Sequence, residues 1–116
     1  MELGHAFHVA GALATLLRGA FALLAPTLFA RRNSLAPLDA LGRSELRATH
    51  GALLASLGAF AALAQDQVAF ALLGGAWLAT ACARIGGALL ARELDARVWR
   101  AALRDASFSV LLLYPG

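Results

Sequence analysis

Apolar residues run along this chain in four blocks, over about 5–29, 45–64, 68–91 and 95–114, with shorter polar stretches between them. Crossing a bilayer as a helix takes ~20 mostly apolar residues, so each block predicts a membrane-spanning helix. The third block is the clearest. Its 24 residues, Val68 to Ala91, hold one charge, Arg84. Small residues recur in it at every fourth position: Ala71, Gly75, Ala79, Ala83, Gly87 and Ala91. On a helix such a seam drifts by only ~40° per step. In lipid, helix contact rests on close packing, and small residues let backbones approach. The pattern therefore predicts a central helix with Ala71, Gly75, Ala79, Ala83 and Gly87 in close helix contacts.

The first block is too long for a signal-peptide core, and its positive charge follows it. Gly11, Thr15 and Gly19 form a seam of their own, and Pro26 falls near the helix end, before Arg31-Arg32-Asn33-Ser34 closes it. Residues 30–43 hold Pro37, Asp39 and Gly42 and read as a loop with a short interfacial helix. Ser44 is a suitable N-cap for the second helix, with Glu45 where a carboxylate suits the helix dipole. Gly51, Ala55 and Ala59 repeat the four-residue spacing there. Gln65-Asp66-Gln67 is so short that helices two and three are expected as close antiparallel neighbours. The fourth block is interrupted by Arg100, Arg104 and Asp105. It either spans with its charged face buried, which is the reading adopted, or lies on the membrane surface as an amphipathic helix.

Composition agrees with a membrane chain. Of 116 residues, 60% are hydrophobic and 15% charged, and the mean hydropathy is +0.70; soluble domains are nearer ~45–50% and ~25%. All ten basic residues are Arg, and most stand at the ends of apolar blocks, which suits membrane orientation better than a nucleic-acid face. Arg31, Arg32, Arg43 and Arg47 follow the first helix, and Arg92, Arg97 and Arg100 follow the third. The positive-inside rule puts both connections in the cytoplasm and both termini outside. The expected fold is all-α: an integral membrane four-helix bundle of one domain, residues 1–116, in a bacterial inner membrane.

Ser44 to Gly58, SELRATHGALLASLG, resembles a family of small bacterial four-helix membrane proteins catalogued as a domain of unknown function. The family pattern is Asn/Ser-Glu-Leu/Phe-Arg-Ala entering a helix, followed by an aromatic and Gly-Gly. Here His50 takes the aromatic position and Ala52 the second glycine. Leu17-Arg18-Gly19 to Ala25-Pro26 is similar to the family's first helix, and Ala83-Arg84-Ile85-Gly86 to its third. The resemblance implies the fold and supplies no activity.

Charges inside lipid cost ~2.5–3.5 kcal/mol each on insertion scales, so they face the bundle interior and pair, and they mark functional sites by default. Arg18 and Asp105, with Arg104 nearby, are expected as a mid-membrane pair. Glu45, Arg47, His50 and Arg84 are expected as an inner polar pocket, with Arg84 meeting Glu45 or His50. One reading makes Arg18, Glu45, Arg47, His50, Arg84 and Asp105 a site for a hydrophobic anionic ligand (a lipid, quinone or isoprenoid), with His50 able to exchange a proton. The other makes them mutually neutralising groups that fix helix register. His5 and His8, spaced i,i+3, lack a nearby third ligand and are read as interfacial polar residues, not a metal site. Trp77 is read as packing, Trp99 and Tyr114 as aromatic belts, and Cys82 as an inert packing residue. No cofactor is called for, and no nucleophile elbow, phosphate loop or paired carboxylate argues for an enzyme. The leading expectation is a structural or accessory membrane subunit that associates with itself or a larger complex through its seams. The alternative is a binder or carrier of the anionic ligand.

Overall fold

In the computed structural model, which describes residues 2–115, the chain is all-helical. Helix α1 covers Glu2–Leu24, α2 Pro26–Arg32, α3 Ala40–Glu45, α4 Leu54–Ala64, α5 Gln67–Ala91 and α6 Ala96–Leu113. A π-helical segment, Leu46–Leu53, joins α3 to α4, so that one helical rod runs from Ala40 to Ala64. The rods in α1, in Ala40–Ala64 and in α5 are long and apolar enough to cross a membrane. Helix α6 carries Arg97, Arg100, Arg104 and Asp105 and does not belong to that set.

Two boundaries differ from expectation, each for a local reason. The first helix does not run unbroken to Phe29. Ala25 leaves the helical region (φ −134°, ψ 63°) and α2 starts at Pro26, because proline has no N–H to donate and its ring crowds the preceding residue. The second rod starts five residues before Glu45. Asp39, with extended backbone, caps it by accepting from the Gly42 N–H at 3.0 Å, so Ser44 lies inside the helix. Helices α5 and α6 begin and end within a residue or two of the third and fourth apolar blocks.

Glycines set the tightest contact. A Cβ on Gly19 would strike the Ala55 amide nitrogen and come within 2.8 Å of the Gly51 carbonyl oxygen. One on Gly58 would strike the Leu16 amide and come within 2.7 Å of the Ala12 carbonyl oxygen. Gly51 itself abuts the Leu23 backbone. These contacts step in opposite directions along α1 and the second rod, which therefore pack antiparallel with their backbones nearly touching. Helix α6 lies along the other side of α1, where Gly11 meets Leu112, and α5 packs along α6, where Gly74 meets Leu112 and Leu113. Near Tyr114, the His8 Nε2 atom is 2.6 Å from the Tyr114 carbonyl oxygen, and the Phe7 and Tyr114 rings meet edge to face. The N-terminus of α1 and the C-terminus of α6 thus share one end of the molecule.

Two expectations fail here. The second rod and α5 are not neighbours along their length. They share a small interface near their joining turn, where Ala61, Ala62, Ala69 and Phe70 enter one apolar cluster, and α1 and α6 lie between them beyond it. Gln65, in the left-handed conformation (φ 49°), lets the chain reverse without holding the two rods together. The α5 seam also faces outward. Ala71, Gly75, Ala79, Ala83, Gly87 and Ala91 are all exposed, and added Cβ atoms on Gly75 and Gly87 meet nothing within 4 Å. Inward packing falls to the neighbouring stripe of Phe70, Leu73, Gly74, Trp77, Ala81 and Ala88, set by the larger side chains. Cys82 is exposed, not packed.

The outer surface is apolar as well: Leu63 is 83% and Leu90 91% exposed, as expected of a lipid-facing surface. Within the core, Trp77 reaches from α5 to α1 and donates its indole N–H to Thr15 Oγ1 at 2.9 Å, while Thr15 donates to the Gly11 carbonyl.

Gly19→Leu should lower stability in detergent by ~3 kcal/mol, the upper range for overpacking, because a backbone amide cannot move aside. Gly75→Leu should leave the melting temperature of the monomer unchanged. Parallel thermal melts of the two variants check both.

Candidate functional site

The kink at Pro26 builds the site. It turns α2 so that Phe29, fully buried, packs with Ala22, Ala30 and Leu46. One face of its ring receives the Arg18 guanidinium, whose Cζ is 4.9 Å from the ring centroid. The His50 ring approaches the same phenyl, centroid to centroid 5.7 Å. One turn beyond Phe29, Asn33 donates through Nδ2 to the Phe29 carbonyl at 2.8 Å. That bond fixes the amide, and its Oδ1 accepts from Arg18 at 2.7 Å and from Arg104 at 3.4 Å.

Asp105 on α6 has no exposed surface, and both its oxygens are held by guanidinium groups. Oδ2 accepts from Arg84 Nε at 2.5 Å, and Oδ1 accepts from Arg104 Nε at 3.2 Å and from its terminal nitrogen at 3.0 Å. A buried carboxylate without such partners would carry an uncompensated desolvation cost of several kcal/mol. Arg84 and Arg104 keep side-chain exposures of 39% and 29%, so neither is fully enclosed.

Above this layer is a cleft of about 610 Å³ lined by Arg18, Arg32, Arg84, Arg97, Arg100 and Arg104, with Asn33, His50 and Asp95 also on its walls. It occupies the end of the molecule remote from the Gln65 turn, where the second rod and α5 have diverged. Asp95 is committed elsewhere. It caps α6, accepting from the Val98 and Arg97 N–H groups at 3.1 and 3.0 Å. The bond from Val98, joined by that from Arg97 and by the Arg97 charge, holds its carboxyl below the usual range.

Of the six predicted site residues, the structure gathers Arg18, His50, Arg84 and Asp105. Their pairing differs from expectation. Arg84 pairs with Asp105 and not with Glu45 or His50, because α5 lies along α6 and apart from the second rod. Arg18 pairs with Asn33 and Phe29 and not directly with Asp105. Glu45 and Arg47 are exposed on either side of buried Leu46, and among the described residues their side chains make no hydrogen bond or ion pair. Residue pattern alone missed Asn33, which looks like an ordinary helix-ending residue, and gave Arg32, Arg97 and Arg100 only a role in orientation. His8 is buried against Phe70 and bonded to the Tyr114 carbonyl, whereas His5 is exposed.

Fold and site together define an all-helical protein with three helices fit to cross a membrane and an arginine-lined cleft at one end. No protein-family model, curated protein or solved structure matches the chain.

Asp105→Leu should destabilise the fold, though by less than the ~3–5 kcal/mol of a fully buried pair, because Arg84 and Arg104 are partly exposed. Replacing Asp105, Arg84 and Arg104 together with Leu, Met and Met should recover most of the loss, read by denaturant titration in mixed micelles. For Asp95, a carboxyl held low in the folded chain supports folding above its unfolded pKa, and that support is lost as the pH falls through the folded value. Acidification below ~4, the ordinary aspartate range, should lower the protection factors of the Arg97 and Val98 amides, measured against their intrinsic exchange at the same pH, and Asp95→Ala should do so at neutral pH.

Proposed function

We propose that this protein is a four-span membrane protein that binds a hydrophobic ligand with an anionic head through the arginine-lined cleft. The observation that carries the reading is the charge of that cleft: six arginines line it, against Asp95, which caps a helix, and Asp105, buried beneath. Guanidinium groups present several N–H donors in a planar fork and stay protonated, so they suit carboxylate and phosphate oxygens. His50, beside Phe29, lies within reach of the same space. In the proposed topology α6 is the fourth span, its charged face turned onto α1 and α5. Both termini are outside and the cleft faces the cytoplasmic side of a bacterial inner membrane, in accord with the positive-inside rule. We also propose membership in the small four-helix family that the Ser44–Gly58 motif resembles.

Purification in a neutral detergent with added anionic lipid should leave lipid on the protein. Arg32→Gln, Arg97→Gln and Arg100→Gln together, which spare the Asp105 layer, should remove it without lowering the melting temperature. Equal retention by this variant would overturn the reading. A reporter fused at the C-terminus should report an outside location, and an inside one would remove α6 as a span.

The outward α5 seam favours a second reading, that of an accessory subunit that associates with another copy or with a larger membrane complex. Six exposed small residues along an apolar helix offer a surface for close backbone approach. Gly75→Leu with Gly87→Leu should then convert a dimer to a monomer in energy-transfer measurements, with the fold unchanged.

A further inference from the structure

The arginines of the cleft form two tiers. Arg18, Arg84 and Arg104 make the floor, tied to Asp105 and Asn33, while Arg32, Arg97 and Arg100 line the walls above without contact to that carboxylate. The floor carries three positive charges, and Asp105 is the carboxylate paired there among the described residues. Two positive charges are left over. Arg18 in particular has only neutral partners, the Asn33 amide oxygen and the Phe29 ring. Charges inside a membrane protein pair or face a polar cavity, and an excess of this size turned toward a cleft suits an anionic head group.

Resting on the anionic-ligand reading above, we propose that the floor is built for a dianionic phosphate group carried on a membrane lipid, a terminal phosphomonoester. A singly charged phosphodiester leaves one floor arginine unmatched, and a neutral quinone leaves both excess charges. A terminal phosphate also presents three oxygens to one side, which suits guanidinium donors converging from α1, α5 and α6. Entry along the bilayer fits the layout. The second rod and α5 meet near the Gln65 turn and diverge toward the cleft, with α1 and α6 as its base, so an acyl or isoprenyl chain can lie in the wedge with its head on the floor. Asn33, bonded to both Arg18 and Arg104, acts as a positioning residue that holds these two cations on one phosphate.

The test uses the full chain in nanodiscs of phosphatidylcholine, with lipid binding read by native mass spectrometry. Phosphatidic acid, phosphatidylglycerol of the same chains and inorganic phosphate are the probes. Phosphatidic acid should bind about tenfold or more tighter than phosphatidylglycerol, the scale of one further charge-assisted pair, and inorganic phosphate should bind far more weakly than either. Arg18→Gln should abolish the preference for phosphatidic acid while leaving phosphatidylglycerol binding in place, and Arg18→Lys should keep part of it. Arg100→Gln should weaken both lipids alike. Equal affinity for the two lipids would overturn the dianion assignment while sparing the anionic site. Inorganic phosphate binding as tightly as phosphatidic acid would overturn the lipid source. Failure of both lipids to bind would overturn the underlying reading as well.

Discussion

A carboxylate removed from water must be held by cations, and the Asp105 side chain is fully enclosed where α6 faces α5 and α1. Its two oxygens draw Arg84 from α5 and Arg104 from its own helix to one point. Arg104 then reaches Asn33 at the end of α2, and Asn33 reaches Arg18 on α1. One buried charge thereby connects four helices, and it explains how α6 can turn Asp105 and Arg104 toward α1 and α5. The same connection fixes the floor of the cleft, because each guanidinium committed to Asp105 still has donors facing away from it.

The packing on the other side of α1 is of a different kind. Gly19 and Gly58 remove the side chains that would keep two helices apart, and backbone approaches backbone. That contact is apolar, close and intolerant of added volume, whereas the α6 side is polar and directional. Helix α1 thus has a tight face and a charged face, and the second rod and α5 are spread to its two sides. The flattened shape, 45 × 31 × 18 Å across its Cα atoms, follows from this arrangement. So does the cleft, which lies at the end where the outer helices are furthest from their joining turn.

Proline and asparagine near residue 30 decide the chemistry of that end. A straight helix through Ala25 would carry Phe29 and Asn33 onward along the axis of α1. With the break at Pro26, Phe29 instead packs with Ala22 and Leu46, and Asn33 comes within hydrogen-bonding distance of two arginines. The π-helical turn at Leu46–Leu53 then sets His50 against the Phe29 ring.

The sequence by itself determined that the chain is helical, that three of its helices are long and apolar enough to cross a membrane, and that ionisable groups stand inside its apolar runs. Those properties depend on runs of apolar residues and on local capping, which near neighbours control. It also singled out Arg18, Arg84 and Asp105, since a charge inside an apolar run stands out without any partner being known. Which charge meets which was decided by tertiary structure alone. The three-residue connection at Gln65 constrains only the adjoining helix ends, so nothing local could show that α5 would lie along α6 and bring Arg84 to Asp105. The direction of the α5 seam was settled in the same way. Small residues permit close approach but exert little pull, and the larger side chains of Phe70, Leu73 and Trp77 turned the neighbouring face of the helix inward.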